Sequence, residues 1–201
     1  MDNARLLQNY IVHHRAALDQ LLERNADVFS SWVDRAAGVL RAGKKIMLFG
    51  NGGSAAEAQH IAAELSVKFW HDRSPLAAMA LHVDSSAVTA AGNDYGFDFI
   101  FSRQIDALGQ TGDMAIGYST SGKSANVLRA LESARAKGMF TVGLTGSAGI
   151  SMTNYCDLCI LAPSAVTPHI QEMHTILGHA FCAAVENVLN LVKIEHYPWK
   201  N

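Results

Sequence analysis

Apolar, strand-like runs alternate with helical patterns along most of this sequence, which is typical of a parallel sheet covered by helices. Strands are predicted at about 45–49, 76–82, 113–118, 140–144 and 157–162. Between and after them, helices are predicted at 54–68, 85–91, 97–108, 124–137 and 168–193. Five parallel strands with crossover helices predict a doubly wound, flavodoxin-like α/β fold. Its ligand should lie at the carboxyl ends of the strands.

The region before the first strand is predicted to be helical. Residues 4–24 and 27–42 carry apolar residues at helical spacing and are predicted to form two helices. They present more apolar positions than a solitary helical pair needs to bury. We therefore expect one domain over residues 1–201, with 1–42 as an N-terminal extension that packs in an oligomer.

Two of the strand-to-helix crossings have the composition of a phosphate site. The first strand runs into Gly50-Asn51-Gly52-Gly53-Ser54, and the third runs into Ser119-Thr120-Ser121-Gly122-Lys123-Ser124. A helix N-terminus offers unpaired backbone N–H groups and a positive dipole end, and glycine lets a phosphate approach closely. Two such loops predict a phosphorylated, polyhydroxylated ligand. The first loop lacks the last glycine of a dinucleotide fingerprint, and no acidic residue about 20 positions later completes one, which disfavours NAD.

Composition narrows the functional classes. The formal net charge of -2 over 201 residues gives no electrostatic reason to expect nucleic acid or an anionic membrane. Apolar runs are far shorter than the roughly 20 residues that a membrane-spanning helix needs. The first residues lack a cationic, apolar secretory signal, so a cytoplasmic location is expected. Cys156 and Cys159 have CxxC spacing without a second pair, and with Cys182 they are predicted to be ordinary thiols.

The helix after the first loop separates two stripes. One stripe has the spacing of a buried face and contains Ala58, Ile61, Ala62 and Leu65. His60 and Glu64 stand four apart on another face, where they can chelate a metal ion, transfer protons, or form an ordinary exposed pair. Their position one or two turns from the proposed phosphate loop favours a functional role.

The final helix offers partners for that pair. Gln171 and His179 lie two turns apart, offset by about 80°, so both can border one cavity. Glu172 aligns better with His179, and spacing leaves both candidates open. His174 falls within the apolar stripe of this helix and is predicted to be a core histidine.

Several motifs together resemble one family. They are Gly50-Asn51-Gly52-Gly53-Ser54, the segment 58–65, Gly92-Asn93-Asp94-Tyr95-Gly96, the segment 119–124, and Ile170-Gln171-Glu172 followed by His174 and His179. In this order and at this spacing, from about residue 40 to 190, they resemble the sugar isomerase (SIS) family. Within it they are similar to the sedoheptulose 7-phosphate isomerases, or phosphoheptose isomerases.

The resemblance implies an aldose–ketose isomerase that converts sedoheptulose 7-phosphate to D-glycero-D-manno-heptose 7-phosphate through an enediol, for activated heptose biosynthesis. It also implies a homotetramer with sites shared between subunits and one zinc ion per subunit. The implied substrate-binding residues are Asn51, Gly52, Gly53, Ser54, Glu64, Asn93, Asp94, Ser119, Thr120, Ser121, Ser124 and Gln171. The implied metal ligands are His60, Glu64, Gln171 and His179, with Glu64 and His179 as the proton-transfer residues.

Three residues depart from a common family pattern: Lys68, Lys123 and His169. Lys123 can contact phosphate or point to solvent, and neither reading is preferred. Other SIS functions stay open, namely a non-catalytic module that binds a replication initiator, and an isomerase or sensor of another sugar phosphate. The presence of both Glu64 and His179 favours an enzyme.

Overall fold

The computed structural model describes residues 2–198 and contains a five-stranded parallel sheet. The strands are β1 (Ile46–Gly50), β2 (Ala78–Ala80), β3 (Met114–Tyr118), β4 (Phe140–Gly146) and β5 (Leu158–Ala162). Their order in the sheet is β2-β1-β3-β4-β5, with every neighbouring pair parallel. This confirms the doubly wound, flavodoxin-like α/β fold predicted from the alternation of strands and helices.

Helices cover both faces of the sheet. They are α1 (Asn3–Arg41), α2 (Gly53–Ser66), α3 (Ser85–Tyr95), α4 (Ser102–Leu108), α5 (Ala125–Ala136) and α6 (Thr167–Val188). Buried residues of α1, α2 and α6 pack on one face of the sheet, and those of α4 and α5 pack on the other. All residues of β1 and β3 are buried, as strands sandwiched between helix layers should be. Within residues 2–198, no helix is long and apolar enough to cross a membrane.

The N-terminal region is a single helix, so the prediction of two helices at 4–24 and 27–42 was wrong. Asn25 stands at the predicted break, and its side chain is buried inside continuous α1. Its amide donates to the carbonyl of Leu161 at 3.2 Å, and its carbonyl accepts from the N–H of Leu161 at 3.3 Å. Asn25 thus pairs with the exposed backbone of edge strand β5, which compensates for its weak helix propensity.

Other boundaries also differ from the prediction. The helix expected at 97–108 is a 3₁₀ turn at Phe97–Phe99 followed by α4, and α3 continues to Tyr95. Helix α6 ends at Val188 rather than 193, two residues before Asn190 adopts a positive φ of 56°. The 3₁₀ segment Ser147–Tyr155 was not predicted. None of these differences moves the carboxyl ends of the strands.

Candidate active site

The two Gly/Ser crossings meet at the carboxyl edge of the sheet. Strands β1 and β3 are neighbours, with Gly50 opposite Tyr118, so the loops that follow them emerge side by side. The amide of Asn51 donates to Asn126 at 2.8 Å, and the amide of Asn126 donates back at 2.9 Å. Asn126 is buried at the start of α5. This reciprocal pair joins the first crossing to the helix that follows the second.

The second crossing folds into a compact loop of hydroxyl groups. Ser119 Oγ and Ser124 Oγ lie 2.9 Å apart, and the N–H of Ser124 points to Ser119 Oγ at 3.4 Å. Ser121 Oγ accepts from the N–H of Lys123 at 3.2 Å, while the Lys123 side chain is exposed. Ser124 is the N-cap of α5, and its side chain makes no capping hydrogen bond. The first turn of α5 therefore keeps backbone donors for an anion.

Helix α2 also begins without a side-chain cap, since its N-cap is Gly52. By contrast, Asp2 and Asp84 cap α1 and α3 through hydrogen bonds to backbone N–H groups. Ser54 is buried in the first turn of α2, and Gly53 is its first residue. A side chain at position 53 would meet the Gln171 amide, because a Cβ there would lie 2.5 Å from Gln171 Nε2.

Helices α2 and α6 bring the predicted proton-transfer residues to one place. His60 Nε2 and His179 Nε2 lie 2.7 Å apart, and the two rings meet edge to face. Glu64 Oε1 lies 3.8 Å from His60 Nδ1, one helical turn along α2. Two imidazoles and a carboxylate from distant segments thus form one cluster that is open to solvent. Such a cluster can exchange protons with a bound ligand or donate nitrogen and oxygen atoms to a cation.

The two helices approach closely just behind this cluster. Gly178 faces Ile61, and a Cβ at position 178 would lie 2.5 Å from Ile61 Cδ1 and 3.0 Å from Glu57 Oε1. Glu57 is buried on α2 and accepts a hydrogen bond from Thr175 Oγ1 of α6 at 2.6 Å. The small residue and the cross-helix hydrogen bond together fix the separation of α2 and α6 at the height of His60 and His179.

The structure separates the two candidates that spacing left open on α6. Gln171 turns toward the start of α2, where its amide packs on Gly53. Glu172 turns toward α1, where it accepts a hydrogen bond from Tyr10 at 2.6 Å and lies 3.2 Å from His14 Nδ1. Gln171 therefore borders the first crossing, and Glu172 belongs to the contact between α1 and α6.

The other residues that the sequence singled out lie on α3, after α2, at the start of α6 and in the second loop. Asn93 and Asp94 are exposed on the last turn of α3, where Asn93 Nδ2 donates to Asp94 Oδ1 at 2.7 Å. Within residues 2–198, the hydrogen bonds do not join this pair to the other predicted site residues. Lys68 is exposed after α2, and His169 is buried against the rings of Tyr10 and His14. Thr120 lies between the serines of the second loop and is half-buried.

Burial shifts the pKa values of two core side chains, Tyr118 and His174. Tyr118 is fully buried, and that burial, with a smaller contribution from the charge of Glu57, raises the pKa of Tyr118 well above its ordinary value. His174 lies in the core as predicted, edge to face with Tyr118. Burial lowers the pKa of His174 to about 4, so it is neutral at physiological pH. Both side chains are buried in the core, and both are in their neutral forms at physiological pH.

Sequence reasoning missed several residues that shape the site. Asn126 is hydrogen-bonded to Asn51, Thr175 donates a hydrogen bond to Glu57, and the Phe69 ring stacks on His179 with 5.5 Å between ring centroids. Glu57 could have been found from the sequence. It lies four residues before Ile61, which places its carboxylate on the apolar face of α2. The partners of Asn51 and His179 lie 75 and 110 residues away, and local patterns carry no signal for such pairs.

The donor set bears on the metal ion that the resemblance implies. The converging Nε2 atoms of His60 and His179 are suitable first ligands for zinc, and Glu64 lies beside them. Within residues 2–198, no group of three or more His, Cys, Asp or Glu side chains is arranged to hold a metal ion. These four residue types do not include glutamine, and the amide oxygen of Gln171 is an uncommon zinc ligand. The two histidines fit zinc, whereas Glu64 lies against Nδ1 of His60 and the Gln171 amide packs on Gly53.

Comparisons with known proteins place these features in a family. The family model described as SIS domain matches residues 9–146. Phosphoheptose isomerase from Rhodospirillum rubrum is 55% identical over 161 residues, covering 78% of this chain and 86% of the relative. The enzyme of the same name from Burkholderia pseudomallei is 48% identical over 191 residues, covering 93% of this chain and 97% of the relative.

Solved structures agree with the sequence matches. Phosphoheptose isomerase from Neisseria gonorrhoeae matches with a TM-score of 0.87 and 36% identity, covering 92% of this chain and 100% of that one. The corresponding structure from Francisella tularensis gives a TM-score of 0.89 and 32% identity, covering 93% of this chain and 100% of that one. The similarity therefore extends over the sheet, both crossings and the helices that carry the cluster.

Proposed function

The chain belongs to the SIS domain family and, within it, to the phosphoheptose isomerases, and we propose that it converts sedoheptulose 7-phosphate to D-glycero-D-manno-heptose 7-phosphate. The observation that carries this proposal is the convergence of His60, Glu64 and His179, with His60 about two helical turns from the uncapped start of α2. The product would supply the biosynthesis of activated heptose. An aldose–ketose isomerase needs an anion site for the phosphate and proton-transfer groups at the other end of the sugar, and this arrangement offers both.

The phosphate end of the substrate would bind the second crossing. Ser119, Thr120, Ser121 and Ser124 would donate hydrogen bonds to phosphate oxygens, together with the free backbone donors at the start of α5. Asn51, Gly52, Gly53 and Ser54 would contact the sugar from the first crossing, with Gln171 beside them. Asn93 and Asp94 would meet hydroxyl groups after movement of α3 or from a neighbouring subunit.

The reaction moves one carbon-bound proton. Glu64 would remove the proton from C1 of the ketose, next to the C2 carbonyl, which gives a cis-enediol after oxygen O2 gains a proton. The same carboxyl group would return a proton to C2 as the C1 aldehyde forms. His179 would donate to O2 and accept from O1, a role suited to an imidazole, whose ring nitrogens can both donate and accept protons.

A zinc ion, one per subunit, would be held by His60, Glu64, Gln171 and His179, and would supply Lewis-acid polarisation of the carbonyl oxygen. A carboxylate bound tightly to zinc is a weaker base, so Glu64 cannot fill both roles at the same moment. Metal analysis of protein purified without chelators should show about one zinc per chain. Full activity in a metal-free preparation would remove zinc from the mechanism.

We further infer one domain over residues 1–201 whose N-terminal part, residues 1–42, forms a homotetramer. The described part of α1 supports this, because Leu6, Leu7, Ile11 and Val12 are each at least half exposed in the single chain. Light scattering on the purified protein should give four times the 21.6 kDa chain mass. A cytoplasmic location is supported by the free thiols of Cys156, Cys159 and Cys182, which persist in a reducing compartment.

The test is an isomerisation assay with a matched control. Purified protein is incubated with sedoheptulose 7-phosphate, and aldoheptose phosphate formation is followed for the wild type, Glu64→Gln and His179→Ala. Each substitution should lower kcat by about 100-fold or more, since it removes an acid–base group. Glu172→Gln, on the same helix but facing α1, should keep the wild-type kcat. An inactive wild type, or activity indifferent to Glu64 and His179, would overturn the proposal.

A further inference from the structure

A fully buried ion pair lies next to the candidate active site, outside the residues that the proposed chemistry uses. Arg73, in the loop after α2, bonds through Nε to Glu186 Oε1 of α6 at 2.7 Å. The two side chains are 1% and 0% exposed. Two charges withdrawn from water this completely need several hydrogen bonds to offset their desolvation, and those bonds identify what the pair holds in place.

The guanidinium group of Arg73 donates hydrogen bonds to the last carbonyls of α2. Nη2 donates to the carbonyl oxygen of Glu64 at 2.7 Å, and Nη1 donates to that of Leu65 at 2.8 Å. Further bonds from Nη1 reach the carbonyls of Val67 and Ser74 at 3.3 Å and 3.0 Å. The carbonyls of Glu64, Leu65 and Val67 lie at the negative end of α2, where a cation is favourable. Arg73 thus fixes the backbone of the residue proposed as the base.

The carboxylate of Glu186 holds the other side of the cluster. Its Oε1 also accepts from the N–H of Phe69 at 3.4 Å, and its Oε2 accepts from Tyr197 Oη at 2.8 Å. The Phe69 ring stacks on His179, with 5.5 Å between centroids and 29° between planes. Glu186 itself lies seven residues after His179 on α6. One carboxylate therefore fixes both the helix that carries His179 and the ring against which His179 rests.

We propose that Arg73, Glu186 and Tyr197 form a positioning unit that sets the Glu64 backbone against the His179 ring during isomerisation. The proposal rests on the proposed function. None of the three residues is a catalytic residue, because each acts through Glu64 or Phe69. An error of about 1 Å in such a geometry can lower kcat by up to about 100-fold, whereas the distant phosphate loop would keep KM unchanged.

Two substitutions of different severity test the unit. Arg73→Lys keeps the charge but cannot make the forked set of bonds to Glu186 and the α2 carbonyls. Tyr197→Phe removes one hydroxyl and leaves the ring. We expect kcat per folded molecule to fall about tenfold or more for Arg73→Lys and about threefold for Tyr197→Phe, with KM within about twofold of the wild type.

The matched control is the ion pair of Lys45 and Asp113 at the opposite, amino end of the sheet. Lys45 Nζ lies 2.5 Å from Asp113 Oδ2, and the Asp113 side chain is 1% exposed. Asp113→Asn should lower the thermal midpoint as the Arg73 variant does, while kcat per folded molecule stays at the wild-type value. The folded fraction is measured by circular dichroism at the assay temperature.

The outcomes separate this inference from the proposed function. An inactive wild type overturns both. An active wild type overturns the inference alone if Arg73→Lys and Tyr197→Phe lose thermal stability but keep kcat, as the control does. A rise in KM without a fall in kcat also overturns it, since that result would place the unit in substrate binding. If Arg73→Lys does not fold, the kcat of Tyr197→Phe decides.

Discussion

The close approach of α2 and α6 at Gly178 gives a sharp test of how the site is built. In Gly178→Ala, the new Cβ would lie 2.5 Å from Ile61 Cδ1 and 2.7 Å from Ile61 Cγ1. Carbon atoms in contact prefer about 3.5–4.0 Å, so the two helices must separate by about 1 Å or Ile61 must change rotamer. The first response would move His179 away from His60, whose Nε2 atoms are 2.7 Å apart.

Stability and activity should respond differently to this substitution. Overpacking costs about 1–3 kcal/mol, while replacing glycine with alanine inside a helix contributes about 1 kcal/mol in the opposite direction. The net free energy of unfolding should therefore fall by only about 0–2 kcal/mol. A displacement of about 1 Å at the acid–base cluster should lower kcat by about 10- to 100-fold. Urea unfolding and isomerisation kinetics on the same preparations measure the two effects.

Two further variants control the interpretation. Gly38→Ala lies in α1 with no atom within 4 Å of its new Cβ, so it should stabilise the protein slightly and leave kcat unchanged. Ile61→Ala in the Gly178→Ala background removes both the Cδ1 and the Cγ1 atoms of the clash and should restore much of the lost kcat. A Gly178→Ala variant with wild-type kcat would refute the claim that the separation of α2 and α6 sets the site.

Three other perturbations test the first crossing, the Asn51–Asn126 pair and the buried His174. Gly53→Ala places a Cβ 2.5 Å from Gln171 Nε2 and should lower kcat/KM about tenfold in steady-state assays, with a small change in thermal midpoint. Asn126→Ala leaves the Asn51 amide without its reciprocal partner; urea unfolding should show a loss of about 1–2 kcal/mol, and KM should rise. Burial lowers the pKa of His174 from 6.5 to about 4, so the unfolded state takes up a proton first and stability should fall as pH drops through that window. His174→Leu should show a flatter dependence of the unfolding free energy between pH 6.5 and 4.

The order of the sheet was predictable because strand and helix patterns alternate with short turns, and right-handed crossovers leave few topologies. The buried face of α2 was predictable for a similar reason. Ala58, Ile61 and Leu65 recur at helical spacing, and all three are buried. His174 within an apolar stripe was predictable as a core residue. In each case the signal is local periodicity.

What was not predictable depends on contacts between distant segments. Asn25 is an indifferent helix former, and only its pairing with Leu161 of β5 explains why α1 continues through it. The choice between Gln171 and Glu172 was equally undetermined, because both lie on the same turn of α6. The position of α1 resolves it, since Tyr10 binds Glu172 and leaves Gln171 to face the first crossing.

The most direct test of the proposed mechanism is a crystal structure of the Glu64→Gln variant soaked with sedoheptulose 7-phosphate. We expect the phosphate group on Ser119, Ser121 and Ser124, with the C1–C2 end of the sugar about 3 Å from the residue 64 amide and from His179. A phosphate bound away from the second crossing, or a carbonyl end out of reach of His179, would contradict it.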